Sequence, residues 1–391
     1  GSRWPFFCYV LIYKHLGSVK AWPRLKFGIE CLPTTSQLVG SPASFPADLD
    51  DSFPTWPTTL AGEHNAGDRV RLRVITGVGG PETNPAKYVK ISDRQPVSNA
   101  PAEMEAFLKG YSIEVMPRTA EKVEDFRAIL PAGTRVYIAH IDGTPIEDMV
   151  ATAKRLNAEG FPVMPHFPAR IIKDKATLQD WVARYKGEAD VKQALLLGGG
   201  VPQPAGDFDN SMQLIESGAF DGFDRLHVAG HPEGNKDIDP DGSDKMVMEA
   251  ARWKSAFSER TDAKMAMATQ FCFEAAPVID WVNRLQAEGI KLPVHIGVAG
   301  PAKLQTLIKF AISCGVGASL RVLQKRAMDV TKLLLPYEPT EFVADLAAHK
   351  AKNPNFGIEQ VHFFPLGGIK TNAQWVTENG GASGVPAAAT A

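Results

Sequence analysis

From Ser112 onward the chain alternates eight times between short apolar segments that read as strands and longer amphipathic stretches that read as helices. That alternation leaves few folds open. The strand patterns cover Ser112 to Pro117, Arg135 to His140, Pro162 to His166, Ala194 to Gly198, Arg225 to Ala229, Lys264 to Phe273, Pro293 to Val298 and Val361 to Leu366. Helical patterns at Thr119 to Ile129, Pro145 to Glu159, Lys175 to Tyr185, Val247 to Phe257, Ala276 to Glu288 and Ala302 to Cys314 separate most of them. Ala194 to Gly198 is apolar enough to be covered on both faces, as in a parallel sheet. Eight such units predict an α/β fold, a (β/α)8 TIM barrel, because an open doubly wound sheet rarely needs so many strands. Leu320 to His349, broken by Pro336 and Pro339, reads as extra helices between strands seven and eight. In such barrels the chemistry sits where the strands end.

The chain has another character before Met104, the first methionine. Residues 1–103 scatter tryptophans and prolines without period and read as an irregular N-terminal extension, poorly structured or non-native. Gly1-Ser2 reads as an expression scar. The apolar run Trp4 to Tyr13 follows Arg3, but it has no small-residue cleavage site, and Lys14 stops it well short of the roughly 20 residues a membrane helix needs. Thr76-Gly77-Val78-Gly79-Gly80 has no helix pattern after it and reads as a turn rather than a dinucleotide loop. Residues 104–380 form the expected barrel, and 381–391 a flexible tail. A formal charge of −2 and 44% hydrophobic residues exclude a nucleic-acid or polybasic membrane binder. Cys8, Cys31, Cys272 and Cys314 show no paired spacing, which predicts reduced thiols in a cytoplasmic protein.

Chemistry-bearing residues collect at the strand ends. Glu114 lies inward on the first strand between Ile113 and Val115. Desolvation there would raise its pKa and make it a general acid; pairing with an arginine for structure is the alternative. His140, His166 and His231 end strands two, three and five, while His227, His295 and His362 fall within strands. Each is a candidate ligand or a hydrogen-bonded core residue, and no carboxylate cluster or HxH spacing marks a metal site. Gln270, beside Phe271, offers a donor and an acceptor to a flat heterocycle or else bonds a neighbouring strand. Gly198-Gly199-Gly200 lets a planar ligand or a phosphate approach the backbone, or simply turns the chain. Gly297 to Pro301 and Gly367-Gly368 occupy positions where barrels often hold phosphates.

Taken in order, Glu114 before Pro117-Arg118, Pro165-His166, Gly230-His231-Pro232-Glu233-Gly234, Thr269-Gln270-Phe271 and His362-Phe363-Phe364 resemble the methylenetetrahydrofolate reductase family. The resemblance runs from about Met104 to Gly380. It implies an FAD-dependent barrel of one-carbon metabolism and methionine biosynthesis. NAD(P)H would reduce the flavin and leave, and the reduced flavin would then pass hydride to 5,10-methylenetetrahydrofolate. It also implies that Glu114 protonates the folate so that its five-membered ring opens to an iminium, and that Gln270 bonds the pterin with Phe271 in the aromatic shell beside it. His140, His166, Gly198, Gly199 and His231 would line the flavin, His231 standing where the family usually has tyrosine, and Lys254 would meet the flavin phosphates.

The departures are specific. Leu197-Gly198-Gly199 stands where many relatives have Arg-Gly-Asp, Pro365-Leu366-Gly367-Gly368 where they have Leu-Asn-Arg, and Ala139-His140 where a Thr-Tyr pair is common. A carboxylate beside the flavin opposes its anionic reduced form by a few kcal/mol at an effective dielectric of ~20. Its absence predicts a higher flavin potential and a weaker bias toward methyltetrahydrofolate. The alternatives are a divergent flavin barrel using another pterin or donor, and a non-catalytic folate-binding barrel. Amphipathic outer helices would permit a homo-oligomer. The preference between NADH and NADPH has no readable motif.

Overall fold

The computed structural model describes residues 102–313, 317–328 and 335–381. Residues 1–101 of the N-terminal extension, with the Thr76 to Gly80 turn, the tail from residue 382, Cys8, Cys31 and Cys314, lie outside the described residues. The strands are β1 Ser112–Val115, β2 Arg135–Ile138, β3 Val163–Pro168, β4 Gln193–Leu197, β5 Arg225–Gly230, β6 Lys264–Cys272, β7 Val294–Ala299 and β8 Ile358–Phe364. They pair in parallel in chain order, and β8 closes on β1. The fold is the expected (β/α)8 barrel.

Eleven helices are described, α1 Ala102–Leu108, α2 Pro117–Ala120, α3 Ile146–Ala158, α4 Lys175–Ala189, α5 Ser211–Glu216, α6 Lys245–Ser258, α7 Ala275–Ala287, α8 Leu304–Ser313, α9 Gly317–Met328, α10 Thr340–Lys352 and α11 Ile369–Glu378. Capping fixes several ends. The Asp174 carboxylate accepts from Thr177 N–H at 2.7 Å and starts α4, while Asp190, at φ 47°, ends it. Asn210 and Gln213 form a reciprocal capping box on α5, a helix the apolar pattern did not reveal.

One expected helix does not form. Thr119 to Ile129 holds only the end of α2 and a 3-10 turn, Phe126–Ala128. The Arg155 guanidinium bonds the carbonyls of Ala120, Val123 and Glu124. The Ala120 carbonyl also accepts from Val123 N–H, and together these contacts hold the segment in its open course.

Period-two alternation divides the side chains into two populations. Ile113, Val115, Val136, Ile138, Leu196, Val228, Ile296 and Phe363 point outward into the main core beneath the helices. Each such burial stabilises by about 1.5–3 kcal/mol. The lumen holds a small apolar cluster of Tyr137, Met164, Leu195 and Ala268. It also buries Ser112, His227, His295 and His362, where barrels usually place branched apolar chains. A third cluster, with Phe271, Phe273, Leu307 and Tyr337, packs beside α8 and α9.

Candidate active site

Ile113 and Val115 turn out to the core, so Ser112 and Glu114 face the lumen, with Glu114 nearer the C-terminal mouth. The Glu114 side chain is 18% exposed. Its Oε2 lies 3.3 Å from His166 Nε2 and 3.7 Å from His362 Nε2. His166 Nε2 makes no aligned hydrogen bond, so its hold on Glu114 is electrostatic rather than directional. This corrects both sequence expectations for the acid. Burial remains the largest single effect and pushes the pKa up, but the imidazoles of His166 and His362 together outweigh it and bring it down to about 2. No arginine is the partner. Glu114 rests as a carboxylate and must be loaded with a proton before it can donate one.

A cleft of about 260 Å³ runs along the ends of β5 and β6. Gly230 to Asp237 line one side, with Gln270, Phe271 and Cys272 on the other. Gln270 owes its position to an irregularity in the ladder. Ala268 pairs with His295 but Phe271 with Gly297, leaving one extra residue on β6. The Thr269 hydroxyl stabilises that bulge, donating to the Gln270 carbonyl and accepting from Gly297 N–H, both at 2.8 Å. Bulges re-aim side chains next to sites. Phe271 is 1% exposed and packs edge-on against Phe273 and Phe364.

Lys254 on α6 is 6% exposed. Among the described residues no carboxylate forms an ion pair with it, and burial lowers its pKa to about 8. The His231 pKa falls to about 4, chiefly through burial and then through the charge of Lys254. A buried ammonium without a counter-ion is costly, so the surroundings of Lys254, behind His231, favour an anion.

Gly198 and Gly199 end β4 in a tight place. Gly199 has φ 97°, and a side chain there would bring its Cβ to 3.1 Å from Pro168 Cβ. An acid is therefore more than missing at this position, because the loop is built for glycine. We expect Gly199→Ala to lower unfolding stability by roughly 1–3 kcal/mol, read as a shift in the urea midpoint; an unchanged midpoint would contradict the strain.

His140 is not brought into the cluster. Its Nε2 lies 3.0 Å from the Thr144 carbonyl and its ring packs against Trp181 at 4.8 Å. Only the buried Nδ1 lacks a partner. Its contacts brace the loop after β2.

Sequence reasoning passed over Tyr137 and Ser112 and gave His362 no separate role. The signal was available in the alternation: Ser112 is two residues before Glu114 and pairs with His362 across the β1–β8 ladder. The two side chains meet at 3.0 Å, Ser112 Oγ to His362 Nδ1.

No helix among the described residues is long and apolar enough to cross a membrane. No family model matches the sequence. Similar solved structures include an uncharacterized protein from Clostridium thermocellum that binds two copies of 5-methyl-5,6,7,8-tetrahydrofolic acid. It shows 9% identity and a TM-score of 0.47, over 71% of this chain and 97% of that one. Others are the carboxyl transferase domain of Rhizobium etli pyruvate carboxylase, with 10% identity, a TM-score of 0.36, 73% of this chain and 49% of that one, and N-acetylneuraminate lyase from Mycoplasma synoviae, with 12% identity, a TM-score of 0.27, 63% and 74%. Likenesses this distant transfer no function.

Proposed function

We propose that the barrel is a flavin-dependent oxidoreductase that interconverts 5,10-methylenetetrahydrofolate and 5-methyltetrahydrofolate, with NAD(P)H as electron donor. The observation that carries the reading is the Glu114 carboxylate held between two imidazoles at the mouth of the barrel. The sequence order of motifs around it supports the substrate class.

FAD fits the residues present. Lys254 needs an anion, which a diphosphate supplies, and His231 lies beside it. The bare backbone of Gly198 to Gly200 suits the approach of a flat ring. The cleft, at about 260 Å³, falls below the roughly 300 Å³ at which whole-ligand pockets begin, so it would take one part of the cofactor and leave the rest at the strand ends. When bound, the flavin supplies hydride transfer. The chain's own residues do the remainder. Gln270 presents an amide to the pterin edge, and Glu114 Oε2 takes a proton from a neighbouring imidazole and passes it to the folate nitrogen whose protonation opens the ring. Gly199, in place of a carboxylate, removes a negative charge from beside the ring and favours a raised flavin potential, which weakens the preference for folate reduction.

The test is an anaerobic spectrum of the purified protein with NADH or NADPH, followed by methylenetetrahydrofolate. Bleaching by the nucleotide and recovery with the folate are expected. A colourless protein would overturn the flavin and leave a folate-binding barrel. Bleaching without recovery would leave a flavin barrel that takes another pterin, the reading that the Gly198-Gly199 loop favours next.

A further inference from the structure

Between β7 and β8, where the repeat calls for one helix, the described residues form three, α8, α9 and α10. The base of this excursion is pinched shut by two backbone hydrogen bonds. Ala302 N–H donates to the Tyr337 carbonyl at 3.1 Å and Tyr337 N–H to the Ala302 carbonyl at 2.9 Å. Beyond that pinch α8 and α9 pack on each other. We infer that the outward face of this helix pair is a docking surface for an anionic lipid bilayer, on which the protein rests without spanning it. The inference is independent of the folate reading.

The charge is set in the sequence. From Lys303 to Met328 there are five basic residues, Lys303, Lys309, Arg321, Lys325 and Arg326, and no aspartate or glutamate. The formal charge of −2 for the whole chain averages this local excess away. The fold then sorts the helix pair into two faces. Leu304, Leu307, Ala311 and Leu323 are buried in the cluster that holds Phe271, Phe273 and Tyr337. The other side is exposed at Gln305, Lys309 and Ile312 on α8 and at Arg321, Gln324 and Met328 on α9. Steps of three and four keep each set on one stripe of its helix. Neither Lys309 nor Arg321 is paired with a carboxylate among the described residues. Ile312 is 63% exposed and Met328 78%, and with Leu335 they are three of the five large apolar side chains that stand exposed among the described residues. A surface that bares apolar tips alongside unpaired cations fits the boundary of an anionic bilayer, where the cations meet headgroup phosphates and the tips enter the acyl edge.

The charge also chooses among occupants. A second copy of this chain docking through the same patch on both partners would bring one cationic face against another, and like charges across an interface oppose the contact. A small free anion would meet the cations but leave Ile312 and Met328 in water. A bilayer uses both. Each Lys or Arg near an anionic leaflet favours association about fivefold, and that contribution fades as salt shortens the screening length.

The test is sedimentation of the full chain with vesicles of phosphatidylcholine alone and of phosphatidylcholine mixed equally with phosphatidylglycerol. Binding to the anionic vesicles and not to the neutral ones is expected. It should be released when salt rises from about 0.1 M to about 1 M, as the screening length falls from ~10 to ~3 Å. The double variant Lys309→Glu, Arg321→Glu is expected to bind the anionic vesicles about tenfold or more weakly. Lys122→Glu, Lys175→Glu changes the net charge equally at two exposed positions outside α8 and α9 and should bind as the wild-type protein does. Wild-type protein left in the supernatant would overturn the bilayer, and so would an equal loss in both variants. Undiminished binding by Lys309→Glu, Arg321→Glu would place the contact elsewhere in the chain and overturn this face. Light scattering covers the remaining occupant: a wild-type dimer that this variant loses would give the face to a second copy. All four substituted positions are exposed, so each variant keeps the fold, and neither flavin nor folate enters the measurement.

Discussion

Glu114→Gln is expected to leave flavin reduction by NAD(P)H at its wild-type rate and to slow reoxidation by methylenetetrahydrofolate by about 10²–10⁴-fold, the usual worth of a positioned acid. The amide keeps the volume and a hydrogen-bonding end but cannot accept a proton from a neighbouring imidazole and pass it on. Rapid-mixing absorbance of the flavin separates the two halves. Equal slowing of both would mean that the substitution had damaged the site as a whole, and no slowing of the second would remove Glu114 from the chemistry. The same variant reads out the electrostatics. The Glu114 pKa is depressed from 4.5 to about 2, so its contribution to stability is present above pH 4.5 and is lost as pH falls toward 2. At neutral pH that contribution is on the order of 3 kcal/mol. Urea unfolding should therefore show Glu114→Gln less stable than wild type at pH 7, with the gap narrowing toward pH 3. A gap independent of pH would mean that packing, not charge, is what the substitution removed.

Lys254→Met should do two opposite things. In the cofactor-free protein it should raise the unfolding temperature by on the order of 5 °C, because it replaces a buried ammonium that lacks a counter-ion with an apolar chain of similar length. A lysine pKa lowered from 10.5 to about 8 makes charged burial unfavourable wherever the side chain is protonated, so the gain should be full below pH 8 and fade as pH rises toward 10.5. In the same protein FAD should bind more weakly by about tenfold or more, since a charge-assisted contact to phosphate is lost. Thermal unfolding with and without added FAD measures both. If the variant were less stable without cofactor, Lys254 would have a partner that its surroundings do not show, and if FAD bound as before, its phosphates would lie away from Lys254.

The barrel was legible in the sequence because its strands are short, apolar and regularly spaced, which is the signal that survives without contacts. The Thr119 to Ile129 helix failed as an expectation where Arg155, more than thirty residues later, bonds the carbonyls of Ala120, Val123 and Glu124 and anchors the segment in an open course. No local propensity reports that. Glu114 was visible as an inward acid, but the sign of its pKa shift was not. Desolvation follows from the apolar neighbours in sequence, whereas His166 and His362 arrive from β3 and β8. Lys254 was singled out by the resemblance alone, and its burial shows only in the fold. Bulges were invisible for a related reason: the extra residues at Gln270 and Glu359 appear only when two strands are counted against each other.

The loops that follow β3 and β4 are cross-linked by their backbones. Arg170 N–H bonds the Gly198 carbonyl, Ala205 N–H bonds the Arg170 carbonyl and Asp207 N–H bonds the Lys173 carbonyl, while the Arg170 side chain reaches Asp209. A Cβ at Gly206 would collide with the Lys173 carbonyl. For anyone transplanting specificity between barrels, these two loops are one cassette. Moving the β4 loop alone would orphan the Arg170 N–H and the carbonyls of Arg170 and Lys173, so an exchange that respects the fold must carry Ala169 through Asp174 and Gly198 through Asn210 together.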